Sequence, residues 1–199
     1  MSWYDTFATI YDGSVENVYR AYRPGIVAAM ALAPGERALD LACGTGPNLP
    51  LLADAVGPGG EVLGVDFSEG MLARARRRVA ELPQVRLLQR DARTLTAADV
   101  GPVDAIVSTL GISVIPDHEA VLAATWALVA PGGRFVIFDI YAERWVPSSA
   151  WIKLIAQADL YRRPWDVLEG LGATVERSWL EGSPHVYGGR PYLMVARKS

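Results

Sequence analysis

The sequence predicts an α/β protein: a three-layer, doubly wound sheet of seven strands, mostly parallel with an antiparallel last strand, preceded by an N-terminal helical lid. Three observations carry this. After Arg37, short β-rich apolar runs alternate with longer helical patterns. The runs are apolar almost throughout, as strands buried on both faces are. A glycine-bearing turn follows the first of them, where a parallel strand hands over to its helix.

Taken in order, the expected strands are 38–41, 61–66, 85–89, 104–109, 134–140, 173–179 and 192–197. Helices are expected near 48–56, 69–81, 117–129 and 165–171. Ser68 can cap the second helix, and Pro131-Gly132-Gly133 can stop the third. Two stretches break the alternation. The first carries Trp3, Tyr4, Phe7, Tyr11, Tyr19 and Tyr22 with no strand signal, and reads as the helical lid. The second, Tyr141 to Tyr161, is longer than an ordinary connection. It leaves the carboxyl end of a strand, where open α/β sheets bind ligands.

With 199 residues and 51% hydrophobic content, the chain is expected to fold as one domain. Within it, residues 1–33 form the lid, 34–140 the core, and 141–199 a substrate-side insertion with the closing strands. Nineteen Lys and Arg against 22 Asp and Glu give a formal charge of -3, so no basic field gathers nucleic acid. The basic run at Arg74 to Val79 reads as a solvated helix face, with Leu72, Ala75 and Val79 turned to the sheet. No apolar run approaches the roughly 20 residues that span a bilayer, and the start MSWYDTFATIYD lacks a signal pattern. A cytoplasmic location follows as an expectation. The single cysteine, Cys43, and the two histidines, His118 and His185, leave little for a metal site, and none is expected.

The stretch LDLACGTGPNL, residues 39–49, concentrates the chemistry. Its apolar start reads as a buried strand, and Gly44 and Gly46 let the backbone turn and approach a ligand. A dinucleotide fingerprint needs a third glycine where this chain has Leu49, which argues against an NAD-dependent oxidoreductase. Asp66 ends the second strand 20 residues after Gly46, where an acid can accept both hydroxyls of a ribose. Asp91 follows the third strand, where a carboxylate can receive a proton from an exocyclic amine.

These pieces, LDLACGTG, GVDFSEGML, QRDA, VDAIVSTLGISVIPD and LVAPGGRFVIFD, resemble in order and spacing a class I S-adenosylmethionine-dependent methyltransferase. The match runs from Arg37 to about Ile140, and its relatives of closest pattern are the ubiquinone and menaquinone biosynthesis methyltransferases and small bacterial phospholipid N-methyltransferases. The resemblance implies a Rossmann-like core that binds S-adenosyl-L-methionine and releases S-adenosyl-L-homocysteine. It places Asp40, Gly44 and Gly46 at the methionine part of the cofactor, Ala42 beside them, and Asp66 at the ribose. Phe67 and Met71 would flank the adenine, Asp91 and Ala92 would read its edge, and Thr109 and Leu110 would line the gap near the sulfonium. Tyr11, with Asp12, matches a tyrosine-aspartate pair of the family's lid and would also touch the cofactor.

No catalytic residue is assigned; Tyr11, Tyr141 and His185 are the candidates, and an amine acceptor needs no dedicated base. Tyr4, Tyr22, Ser113, Asp139 and Trp145 are further pocket candidates, while His118 reads as exposed. After the fourth strand many relatives carry two histidines, whereas this chain has Ser113 and Val114. Cys43 has no neighbouring cation to activate it and reads as a small, half-buried packing residue. The implied activity is methyl transfer to a small or lipophilic acceptor, quinone-like or another small molecule. The alternatives are a phospholipid head-group N-methyltransferase, which the aromatic lid could bring to a membrane surface, and a non-catalytic S-adenosylmethionine-binding protein. Oligomeric state is not legible.

Overall fold

The computed structural model describes residues 19–143, 158–180 and 189–199. The expectations on Trp3, Tyr4, Phe7, Tyr11, Asp12, Trp145 and His185 lie outside the described residues. A 3-10 turn at Arg20–Tyr22 leads into α1 (Arg23–Ala29), and the chain then alternates. The elements are β1 (Arg37–Leu41), α2 (Leu49–Val56), β2 (Glu61–Asp66), α3 (Glu69–Arg78) and β3 (Val85–Gln89). After a 3-10 turn at Ala92–Thr94 come α4 (Ala97–Val100), β4 (Val103–Thr109), α5 (His118–Leu128) and β5 (Val129–Tyr141). The last elements are α6 (Pro164–Gly170), β6 (Thr174–Trp179) and β7 (Arg190–Arg197).

The seven strands form one sheet in the order β3-β2-β1-β4-β5-β7-β6. The first five are parallel, and β7 runs antiparallel to both β5 and β6. Strand periodicity of two then sorts the core into two layers. Ala38, Val62, Val107 and Val136 pack with Ile26, Leu52 and Ala75 of α1, α2 and α3 on one face. Their chain neighbours Leu39, Leu63, Ile106 and Phe135 pack with Leu122, Trp126 and Leu168 of α5 and α6 on the other. Because β1 reverses direction of winding between β2 and β4, a crevice opens at its carboxyl end.

Some expectations change. The edge strands β3 and β6 are only partly covered, and Glu176, Arg177 and Ser178 face solvent, because an edge strand lacks a neighbour on one side. The helix α5 stops at Leu128, within a residue of the expected end, but β5 begins at once at Val129 and takes in Pro131-Gly132-Gly133. Those three residues instead sit where the β4–β5 register shifts, between Val103 and Ala105. There Gly132 N donates to Lys198 O (3.0 Å) and Lys198 N to Gly133 O (2.9 Å), which ties the irregularity to the end of β7. A Cβ on Gly133 would lie 2.6 Å from Asp104 O, so the strand crossing itself needs glycine.

Candidate functional site

The loop after β1 is shaped by left-handed backbone at Ala42 (φ 58°), Gly44 (φ 56°) and Gly46 (φ 74°). The two glycines do different work. At Gly44 an added Cβ would meet open space, and its N–H donates to Asp66 Oδ2 (2.8 Å). At Gly46 a Cβ would lie 2.6 Å from Leu49 Cδ1 and 3.0 Å from Ala75 Cβ, so Gly46 lets α2 and α3 pack closely. Gly44 lines the cavity that opens here; Gly46 sits behind it.

That cavity has a volume of about 340 Å³ and lies across the carboxyl ends of β1, β2, β3, β4 and β5. Of the residues assigned to a cofactor, Asp40, Ala42, Gly44, Asp66, Phe67 and Met71 line it. So do Asp91, Ala92, Thr109 and Leu110. Asp66 is buried; besides Gly44 it accepts the Ser68 N–H at Oδ1 (2.9 Å). Burial raises its pKa, and those backbone donors act against the rise. Two acceptor oxygens fixed by the backbone keep further lone pairs for hydroxyl donors. Asp91 is held differently. Arg93 grips both of its oxygens, at 2.6 Å in the shortest contact, and keeps its carboxyl below the usual carboxylate range.

Asp40 is the unusual group. It is 1% exposed, and neither carboxylate oxygen has a hydrogen-bond partner among the described residues. Burial lifts its pKa to about 7, with the nearby Arg23 charge and the Asn48 amide working in the opposite direction. A buried acid at a cavity, with neither oxygen hydrogen-bonded among the described residues, is a receptor for a cation or a cluster of N–H groups. The ammonium and ribose of a nucleoside-linked amino acid meet these requirements at Asp40 and Asp66. Cys43, expected half-buried, is buried at the cavity edge beside Gly64, and burial pushes its thiol well up, so it is inert packing.

Sequence reasoning missed a polar chain along the cavity wall. Arg23 Nη1 donates to Asn48 Oδ1 (2.8 Å), and Asn48 Nδ2 donates to Thr109 Oγ1 (3.1 Å). This links α1, the start of α2 and the end of β4. A lone Arg in RPG carries no signal of burial; Asn48 beside the glycine turn did carry one, as a residue that favours caps and loops. Also missed were Arg90 and the apolar wall of Val114, Ile115, Ile140, Ala158 and Leu160.

The remaining candidates separate. Ser113 lines the cavity, and Asp139 lies buried directly behind it. Tyr22 stacks on Phe138 with ring centroids 5.7 Å apart, and Tyr141 meets the Trp165 ring edge-on at 5.0 Å. Neither lines the cavity. His118 is half-buried rather than exposed, and burial with the Arg162 charge lowers its pKa. Among the described residues there is no cluster of His, Cys, Asp and Glu able to hold a metal ion. No helix among them is long and apolar enough to cross a membrane.

Comparison with known proteins adds four findings. Residues 38–133 match a family model described as a methyltransferase domain. The chain is 39% identical over 118 residues to an uncharacterized 37.1 kDa protein in a transposon of Streptomyces fradiae, covering 59% of this chain and 34% of that protein. It is 37% identical over 123 residues to demethylmenaquinone methyltransferase of Bacillus cytotoxicus, covering 61% of this chain and 52% of that protein. The chain therefore spans a third to a half of the length of these curated relatives. In fold it is similar to a geranyl diphosphate methyltransferase solved in complex with SAM, with a TM-score of 0.78 at 15% identity over 90% of this chain and 85% of that one.

Proposed function

The chain carries a class I S-adenosylmethionine-dependent methyltransferase domain, and from that premise we propose that it transfers a methyl group to a small or lipophilic acceptor. The single observation that carries the reading is buried Asp40, without a hydrogen bond among the described residues, facing the same cavity as Asp66 and Asp91. When bound, S-adenosylmethionine supplies an already activated methyl group. The protein's task is then to hold, align and exclude water. Asp40 would hold the ammonium, Asp66 the ribose hydroxyls, and Phe67 and Met71 the faces of the adenine. Asp91, braced by Arg93, and Ala92 would meet the adenine edge.

On the acceptor side the described wall is apolar apart from Ser113: Leu110, Val114, Ile115, Ile140, Ala158 and Leu160. No carboxylate among the described wall residues there would offset the charge of a head-group amine. This favours an apolar, quinone-like acceptor over phosphatidylethanolamine. It agrees with the demethylmenaquinone methyltransferases among the relatives.

The test is methyl incorporation from labelled S-adenosylmethionine, run in parallel with a reduced naphthoquinone and with phosphatidylethanolamine liposomes. Incorporation into the former is the expected result. Incorporation into the lipid alone would replace this acceptor class. Tight S-adenosylhomocysteine binding with no turnover on a broad acceptor set would instead favour a non-catalytic binding protein.

A further inference from the structure

The mechanism above uses no group to receive a proton, yet the cavity wall contains one hydroxyl backed by a buried acid. Ser113 is 6% exposed and lines the cavity three residues after Leu110. Behind it Asp139, 1% exposed, accepts the Ser113 N–H at Oδ2 (2.8 Å) and the Ile140 N–H at Oδ1 (2.8 Å). The Ser113 side chain stands beside this carboxylate as well and acts to lower its pKa.

Three contacts fix the pair in place. Asp159 N donates to Ser113 O (2.8 Å). Arg162 Nη1 donates to Ile112 O (2.5 Å) and also to Ile115 O, pinning the loop on both sides of Ser113. The loop thus has no freedom to turn Ser113 away without breaking bonds to two other segments. Asp139 is also the cross-strand neighbour of Tyr192 on β7.

We propose that Ser113, oriented by Asp139, is the proton-accepting group of the acceptor subsite, and that its ligand is an apolar ring bearing an ionisable hydroxyl. The proposal rests on the methyltransferase reading of the same cavity. With Asp139 ionised, the Ser113 hydroxyl donates to the carboxylate and turns its lone pairs toward the cavity. An acceptor O–H can then donate to Ser113 Oγ. As the acceptor proton passes to Oγ, the hydroxyl's own proton passes to Asp139. The acceptor becomes an oxyanion, Asp139 becomes neutral, and Ser113 is unchanged. Ser113 is the group that touches the acceptor, and Asp139 is a positioning residue that acts through it.

The charge on Asp139 is set by several neighbours. Burial raises its pKa, while the Ile140 and Ser113 hydrogen bonds and the Arg162 charge lower it. Arg162 in turn faces Asp159 (3.8 Å) and His118, and Tyr192 faces Asp139 from β7 with Arg177 beyond it. A raised pKa suits a carboxylate that must take a proton and release it again.

The experiment uses the full chain saturated with S-adenosylhomocysteine and compares the binding of 1-naphthol with that of 1-methoxynaphthalene, which has the same ring and no hydroxyl proton. The wild type should prefer 1-naphthol by roughly tenfold at neutral pH, about what one hydrogen bond to a charge-backed acceptor provides. That preference should fade as the pH is lowered and Asp139 takes up a proton. Ser113→Ala should abolish the preference, and Asp139→Asn should weaken it and remove its pH dependence. Both variants should bind S-adenosylhomocysteine within threefold of the wild type, which shows that they are folded.

Equal preference in the wild type and Ser113→Ala overturns the proposal, as does a wild-type preference that does not change with pH. If neither naphthalene binds while S-adenosylhomocysteine does, the apolar-acceptor reading falls and the proposal falls with it. If S-adenosylhomocysteine itself fails to bind, the methyltransferase reading is what has failed.

Discussion

Asp40 and Asp66 are both buried acids at strand ends, yet their surroundings give them different behaviour. Asp66 has backbone donors on both oxygens, whereas Asp40 has none among the described residues. Asp40's pKa rises from 3.8 to about 7 in the ligand-free fold, so the folded state holds a proton that the unfolded chain has released. Stability contributed by this group is therefore lost as pH climbs from about 4 to about 7, on the order of 4 kcal/mol in total. Replacing Asp40 with Asn should raise the thermal midpoint at pH 8 while weakening S-adenosylhomocysteine binding, both readable by scanning calorimetry and titration. A cationic ligand prefers the ionised acid, so wild-type affinity should increase between pH 6 and pH 8 and lose that dependence in Asp40→Asn. For Asp66→Ala the expected loss is about 1 to 3 kcal/mol of ligand binding, from charge-assisted hydrogen bonds. Unchanged affinity by isothermal titration would remove Asp66 from the ribose position.

The glycine turn and α3 together fix where these acids point. Ser68 caps α3 by accepting the Met71 N–H (3.2 Å) and at the same time gives its own N–H to Asp66. Ser68→Ala should reduce stability by about 1 kcal/mol, measured by denaturant unfolding. Gly46→Ala should be costlier, because it forces a Cβ into left-handed backbone and against Leu49 and Ala75. Such a variant that unfolded at the wild-type denaturant concentration would contradict the close helix contact. The apolar runs made β1, β2, β4 and β5 legible, because strands buried on both faces exclude most polar residues. The two short helical turns between β3 and β4 escaped, since four residues are too few to show a period. The end of α5 was legible to within one residue, but the start of β5 at Val129 was not, because glycine after a helix signals a stop and here it also serves a strand crossing at Asp104.

Across the whole molecule, Arg134 on β5 fastens the segment before β1 to the middle of the sheet. Its guanidinium donates to Met30 O, to Ala31 O (2.9 Å) and to both oxygens of Glu36 (2.9 and 2.5 Å). Arg134 is buried, and its hydrogen bonds hold the Glu36 carboxyl below its usual range. Arg134→Ala should lower stability by about 3 kcal/mol, since it strands buried carbonyls and a carboxylate. The Glu36 contribution is present above its unfolded pKa and lost as pH falls through the lower folded one, so the deficit of the variant should shrink in acid. Occupancy of the cavity acts globally as well. S-adenosylhomocysteine at a hundred times its dissociation constant should stabilise the fold by about 2.7 kcal/mol, visible as a raised melting temperature.

The sequence by itself determined the alternation of elements, the turn after the first strand, and the acids at the strand ends, because these depend on neighbours within a few residues. Only the tertiary structure decided that Asp40 has no hydrogen bond among the described residues, that Arg23 is linked through Asn48 to Thr109, and that Asp139 stands behind Ser113. Each of those facts joins residues 25 or more positions apart or depends on what fails to arrive beside a buried group. Burial and hydrogen-bond satisfaction are properties of the packed whole, and no local pattern of residue types encodes them.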